Sequence, residues 1–422
     1  MIQLRRLFSP VLWALTLTCL CLCLLPASEA TADTTASGSE HASITYPPQV
    51  AIDAYKSRLL DVAMSAASKM PIVVHLKNRS RSQYKVFRAT LDHDQVETAR
   101  EYLTRIDNWR RGAAAADFAY YCADHGFPEP VASYLRLAKA SSLLATQDWQ
   151  RDYIELTMAN TQLVLGQKQL AETFREGLTD DVFRGQLEIT ESRLSDEQQY
   201  ETMMERLDVL LDTNRYEVIV NGAQAYAQLY EKHYADGERR QTIENKLRVA
   251  YKDMPGPETI DLLLMLVQTA LEHEDRETAL RLLRDTDVLF AETQWPSNTE
   301  YAYQFESRIV QRYADVGESA LASTRLAAMA KRYEEEESEI VDISRAEAIQ
   351  AIAEGYAGMG HLDLARLHYQ RALDAGFVNP NGRPRAEDLV AVCLSMARFG
   401  VEPDDELWDL IQTRHDELGT PW

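Results

Sequence analysis

Little in this 422-residue sequence announces a chemistry. Cysteine is scarce, with five in the chain and three of them, Cys19, Cys21 and Cys23, inside the first thirty residues. Only Cys122 and Cys393 remain, so no disulfide framework is expected. The paired ligand spacings of metal sites, H-E-x-x-H or C-x-x-C, do not occur. Neither does the G-x-S-x-G nucleophile turn or a G-x-x-x-x-G-K phosphate cradle. No catalytic, cofactor-binding or metal-binding residue is therefore expected, and no cofactor. Basic residues are also short, 44 against 66 acidic, a net charge of −22. That excess repels nucleic acid and anionic lipid, and favours a basic partner if there is one.

What is present begins with an address. Arg5 and Arg6 precede an apolar run from Val11 to Leu25, followed by small residues at Ser28 and Ala30. This is the layout of a secretory signal peptide, with cleavage expected after Ala30 and a periplasmic or extracellular destination. The run is shorter than the roughly 20 residues of a membrane span, so no span is expected in the mature protein. Removing residues 1–30 would leave 42 basic and 65 acidic residues. Residues 31–48, rich in Ser, Thr and Ala, read as a disordered linker. Residues 49–110 read as an N-terminal helical region. Within it Ile72–Val74 suggests a short strand, and Lys77, Arg79, Arg81, Lys85 and Arg88 suggest a basic loop, either solvated or a contact point for an acidic partner.

Beyond Asp92 helical periodicity dominates and breakers recur. Gly126, Gly166, Gly237, Gly317, Gly360 and Gly400 are separated by 40, 71, 80, 43 and 40 residues. Further turns near Ser195-Asp196 and Glu274-Asp275 divide the long gaps. Residues 111–422 then hold eight helix-turn-helix hairpins with a period of about 40. A hairpin buries only part of its apolar surface and must stack on a neighbour. The expected fold is all-α, an α-solenoid. Asp92-His93-Asp94 lacks the glycine and closing glutamate of a calcium loop and reads as a helix cap. His361 and His368 read as a surface pair, and most of the 20 tyrosines as packing residues between hairpins.

The clearest copy of the unit is Arg345–Phe377, in which Ala353, Tyr356, Gly360, Ala365, Tyr369 and Ala372 stand at the spacing of the tetratricopeptide repeat. Val267, Ala270, Ala279 and Leu283 form a weaker copy, and Ala159, Gly166 and Ala171 a third. The chain resembles that family over roughly residues 110–400, although Phe377 stands where the motif ends in proline and most periods are longer than the family's. The resemblance implies a right-handed superhelix that binds a peptide or protein on its concave face, with no catalysis. It also implies where a groove would lie: Glu347, Gln350 and Glu354 in the best copy, and Asp261, Leu264 and Gln268 in the copy before Ala279. Arg79, Arg81 and Lys85 complete the candidate partner-binding set. The competing expectation is an all-helical toroid enzyme acting on glycans, as lyase or hydrolase, for which a closed ring of hairpins would be the sign.

Overall fold

The computed structural model describes residues 44–296 and 298–422. The proposed signal peptide and residues 31–43 of the expected linker lie outside them. Among the described residues there is no strand, and no helix long and apolar enough to cross a membrane.

Eight hairpins occupy the expected stretch. They pair α4 (Arg110–Asp124) with α5 (Val131–Leu143), α6 (Asp148–Val164) with α7 (Lys168–Gly177), and α8 (Asp181–Leu194) with α9 (Tyr200–Leu211). There follow α10 (Tyr216–Lys232) with α11 (Gly237–Ala250), α12 (Gly256–Glu272) with α13 (Arg276–Glu292), and α14 (Tyr301–Asp315) with α15 (Ser319–Glu336). The last are α16 (Asp342–Gly358) with α17 (Leu362–Gly376), and α18 (Gly382–Phe399) with α19 (Asp405–Asp416). They are preceded by α1 (Ala54–Lys69), α2 (Ile72–Asp92) and α3 (Val96–Arg105). The even-numbered helices touch one another in succession and form an inner layer, each backed by an odd-numbered helix outside.

One turn geometry joins most hairpins. An amide bonds back five residues to a carbonyl at Phe127–Cys122, Gln167–Gln162, Asp275–Ala270, Glu318–Tyr313, His361–Tyr356 and Val401–Met396, all at 2.8–3.0 Å. This closure needs a left-handed residue after the helix. Glycine supplies it at Gly126, Gly166, Gly317, Gly360 and Gly400, and Glu274 at φ 57° takes the same place between α12 and α13. The amide of Gln95 bonds to Thr90 in the same way, with Asp94 at φ 54°. The α2–α3 segment is thus a ninth hairpin. Its turn is the Asp92–Asp94 stretch read from sequence as a cap.

The region from Ile72 to Arg88 is therefore neither strand nor basic loop. It is α2, an inner helix, irregular only at His75. Its apolar residues Val86 and Phe87 are fully buried, which the alternation of charged residues along one face makes compatible with a helix. Of the expected linker, residues 44–48 are held in place. Tyr46 packs on Phe118 and lies under the Arg100 guanidinium, 4.0 Å from its carbon, and Pro47 is buried.

The array does not end as an open superhelix, because α1 packs along α18 and α2 touches α18 from the inner layer. The apolar core runs through this junction. One cluster fills α9 to α19 and continues into Leu59, Ala63 and Met64 of α1, Val86 of α2 and Tyr102 of α3. A second fills α2 to α6. A small third cluster of Leu156, Ala159, Leu163, Ala171, Leu178 and Leu187 lies around α6 to α8. The residues that carry the repeat resemblance are packing residues. Ala353, Ala365, Tyr369, Ala372, Val267, Ala270, Ala279 and Leu283 have no exposure, and Tyr356 is half-buried.

Candidate functional site on the inner face

The basic stripe of α2 comes from helical spacing: Asn78, Arg81, Lys85 and Arg88 fall on one side of the helix. That side meets the end of the chain. Glu387 on α18 accepts from Asn78 Nδ2 at 2.9 Å, Arg81 Nη2 at 2.6 Å and Arg383 Nη1 at 2.5 Å. Burial opposes its ionisation, but the hydrogen bonds from Asn78 and Arg81 together with the charges of Arg81 and Arg383 hold the carboxyl below the usual range. On the outer side Ser65 Oγ lies 2.9 Å from His415 Nε2, Lys69 donates to His415 O at 2.5 Å, and Arg58 stacks on Trp408 at 3.9 Å. Arg79 donates to the carbonyls of Ser68 and Met70, tying α2 to the end of α1. Within the cluster, then, Arg81 reaches across the closure, Arg79 holds α1 and Arg88 approaches Asp117 on α4. Of the candidates Arg79, Arg81 and Lys85, Lys85 alone stays exposed, facing Glu347 across α18.

The residues assigned to a groove separate into two kinds. Glu347 accepts from Gln304 Nε2 at 3.3 Å. Burial, then the neighbouring Glu300 charge, pushes its carboxyl up against the pull of Lys85. Gln350 donates to Glu354 at 2.9 Å, and Glu354 also accepts from Ser395 on α18 at 2.6 Å, whose hydroxyl is 2.7 Å from Tyr369. Asp261 takes the Arg308 guanidinium, and Gln268 donates to Glu272 at 2.9 Å. These five side chains are all half-buried on α12 and α16. Leu264 does not belong with them: it is 3% exposed and part of the core. The groove positions copied onto α12 put it one step too far round the helix. His368, read as a surface residue, is also buried, stacked on Tyr356 at 5.2 Å, and its pKa is pulled down by burial to about 4.

A third group was missed. Where α2, α4 and α6 meet, the Tyr84 hydroxyl bonds to Asp117 and lies 3.0 Å from that of Tyr153, and Arg88 approaches Asp117 at 3.9 Å. Burial raises the pKa of both tyrosines and of Asp117. Beside them are Arg110, the first residue of α4, and Trp109, which meets Trp149 edge-on at 5.0 Å and Tyr153 at 5.7 Å. The signal available in the sequence was Arg110-Arg111 at a helix start, where the dipole favours acids.

Other tyrosines pair with carboxylates on neighbouring helices: Tyr226 with Asp208 at 2.7 Å, Tyr234 with Asp275 at 2.9 Å, and Tyr303 with Glu336 at 2.9 Å. These pairs let a buried ring keep its hydroxyl satisfied. Cys122 and Cys393 are free and have no exposure, and burial pushes both thiols up to about 12. Among the described residues no three His, Cys, Asp or Glu side chains are grouped to hold a metal ion.

No protein-family model matches the chain, and no curated protein matches it. A solved structure described as a circular tandem repeat protein with novel repeat topology and enhanced subunit contact surfaces is similar at 12% identity and a TM-score of 0.29, over 86% of this chain and 94% of that one.

Proposed function

We propose that the protein is an exported interaction scaffold that holds an extended peptide or protein segment on the inner face of its helical array. The observation that carries this reading is the polar stripe repeated on successive inner helices. Asp261 and Gln268 lie on α12, Gln304 and Arg308 on α14, and Glu347, Gln350 and Glu354 on α16. Such a surface offers hydrogen bonds and negative charge to an extended, basic segment. The tetratricopeptide-like spacing of Arg345–Phe377 supports the same use, and the layout of residues 1–30 supports export. The test is site-specific photocrosslinking in an extracytoplasmic fraction, with the photoreactive residue at Gln350 or Gln268 and a control at Lys331 on the exposed outer face. A partner captured from the inner positions and not from Lys331 is expected. Equal capture from all three, or none, would exclude the reading.

A second reading, an enzyme acting on glycans, is favoured by closure of the hairpins into a ring and by the Tyr84–Asp117–Tyr153 grouping. Raised phenol pKa values make neither tyrosine a ready base at neutral pH, so on this reading one of them donates a proton. Turnover of a polysaccharide by the purified chain, abolished in Tyr153→Phe, would select it over the scaffold.

A further inference from the structure

We infer that the inner face where α2, α4 and α6 meet is a binding site for a single carboxylate group, with Arg110 as its counter-ion. Arg110 is 7% exposed and is the one arginine among the buried residues described. Its neighbours are paired: Arg81 holds Glu387 and Arg88 approaches Asp117. Among the described residues the Arg110 side chain has no such partner: none of their carboxylates lies within ion-pair distance, and Nη1 is buried without a hydrogen bond. The guanidinium carbon lies 4.6 Å from the centre of the Trp109 ring, a contact that leaves its in-plane donors unused.

A buried cation without an anion is costly, and proteins rarely retain one. Burial and the charge of Arg81 pull its pKa down to about 10, which leaves it protonated at neutral pH. Its position adds to the demand for an anion, because it opens a fifteen-residue helix whose amino-terminal dipole is itself positive. Glu387 answers Arg81 and Arg383 together and Asp117 faces Arg88, so Arg110 is the guanidinium of this group with no carboxylate of its own, and a single carboxylate is the anion that matches it. A phosphate dianion would replace an unpaired cation with an unpaired negative charge, in a protein already at −22.

Half-buried Trp109 and Trp149 stand beside the guanidinium and give the rest of the ligand a flat surface, suited to a sugar ring or to the apolar side of a peptide terminus. The inference agrees with an inward-facing ligand surface but does not depend on the scaffold reading, since a failed crosslink at Gln350 leaves Arg110 unpaired.

The test uses the full chain and follows tryptophan fluorescence and melting temperature on titration. The probes are glucuronate, N-acetyl-dialanine with a free carboxyl terminus, their neutral counterparts glucose and N-acetyl-dialanine amide, and inorganic phosphate. One of the two carboxylates is expected to saturate the signal and raise the melting temperature, and which one identifies the ligand's source. The neutral counterparts and phosphate are expected to do neither. Arg110→Gln should weaken binding at least about tenfold, the scale of a lost charged hydrogen bond, and Arg110→Lys should retain part of it. Without ligand, Arg110→Gln should melt higher than the wild type. Binding of neither carboxylate, an equal response to glucose or to the amide, tighter binding of phosphate, or an unaffected Arg110→Gln variant would each overturn the inference.

Discussion

Replacing Glu387 by Gln tests whether the two ends of the array are held together as the structure describes. The substitution keeps shape and one carbonyl acceptor, so the bond from Asn78 survives, while Arg81 and Arg383 lose the charge they neutralise. A hydrogen bond to a charged partner is worth about 1.5–3 kcal/mol when shielded, and an exposed ion pair about 0–1 kcal/mol. Glu387 is 22% exposed and Arg81 44%, so the pair lies between these limits. We expect Glu387→Gln to lower the unfolding free energy by about 1–2 kcal/mol at pH 7. The pH dependence gives the sign. Glu387 has a native pKa below that of the unfolded chain, so its stabilisation is present above the unfolded value, about 4.3, and disappears as pH falls through the native one. Urea denaturation of the two proteins from pH 7 to pH 3 should show midpoints that differ at neutral pH and converge under acid. Equal midpoints at pH 7, or a gap that persists undiminished at pH 3, would show that the carboxylate does not latch α18 to α2.

The turns give a cleaner test of backbone strain. A methyl group added at Gly317 meets no atom within 4 Å, so Gly317→Ala should cost about 1 kcal/mol through its φ of 87° alone. Glu274→Gly should recover up to about 1 kcal/mol at the equivalent turn. Both are read by thermal melting. Asp388 is buried, its pKa raised by burial and by the charge of Glu347. Its ionisation opposes folding at neutral pH, and Asp388→Asn should stabilise the protein by about 1–2 kcal/mol at pH 7 and by nothing below the unfolded pKa near 3.9. His368 behaves oppositely to a paired histidine. It folds neutral, so stability should fall with acid between its unfolded pKa near 6.5 and its native value of about 4, and His368→Phe should flatten that part of the profile. A thiol reagent should modify neither Cys122 nor Cys393 in the native state and both after denaturation.

The hairpins were legible because a helix end with a glycine in the left-handed region leaves a local mark, and five of the turns carry one. Where Glu274 or Asp94 does the same work the mark fades. The turn at Glu274 was found only because even spacing required it, and the one at Asp94 was missed. Helix α2 was hidden by Ile72–Val74, β-branched residues at its start that are largely exposed. Their local preference resembles a strand, and only the contacts of Val86 and Phe87 decide otherwise. Closure was not legible at all. It depends on Leu59, Ala63 and Met64 meeting helices more than three hundred residues away, and a small change in the angle added by each hairpin would separate them. The groove candidates Glu347, Gln350, Glu354, Asp261 and Gln268, copied between repeats, are half-buried on α12 and α16. That procedure placed Leu264 wrongly, and it gave no access to Arg110, whose significance lies in the partner it lacks.

Joining α1 to α18 also changes how the molecule comes apart. An open stack loses its terminal units first, each departure uncovering one face and exposing another. In the closed form every hairpin has a neighbour on both sides, so the first rupture uncovers two faces at once and relieves none. Fraying is suppressed, and the ring should hold until it opens at its thinnest seam. The smallest of the three apolar clusters is the one around α7, a ten-residue helix whose one buried side chain is Ala171, and this is where we expect the ring to open. Amide exchange should therefore be fastest not at the chain ends but near α7, more than one hundred residues from either terminus, with the junction of first and last helices among the slowest parts of the protein.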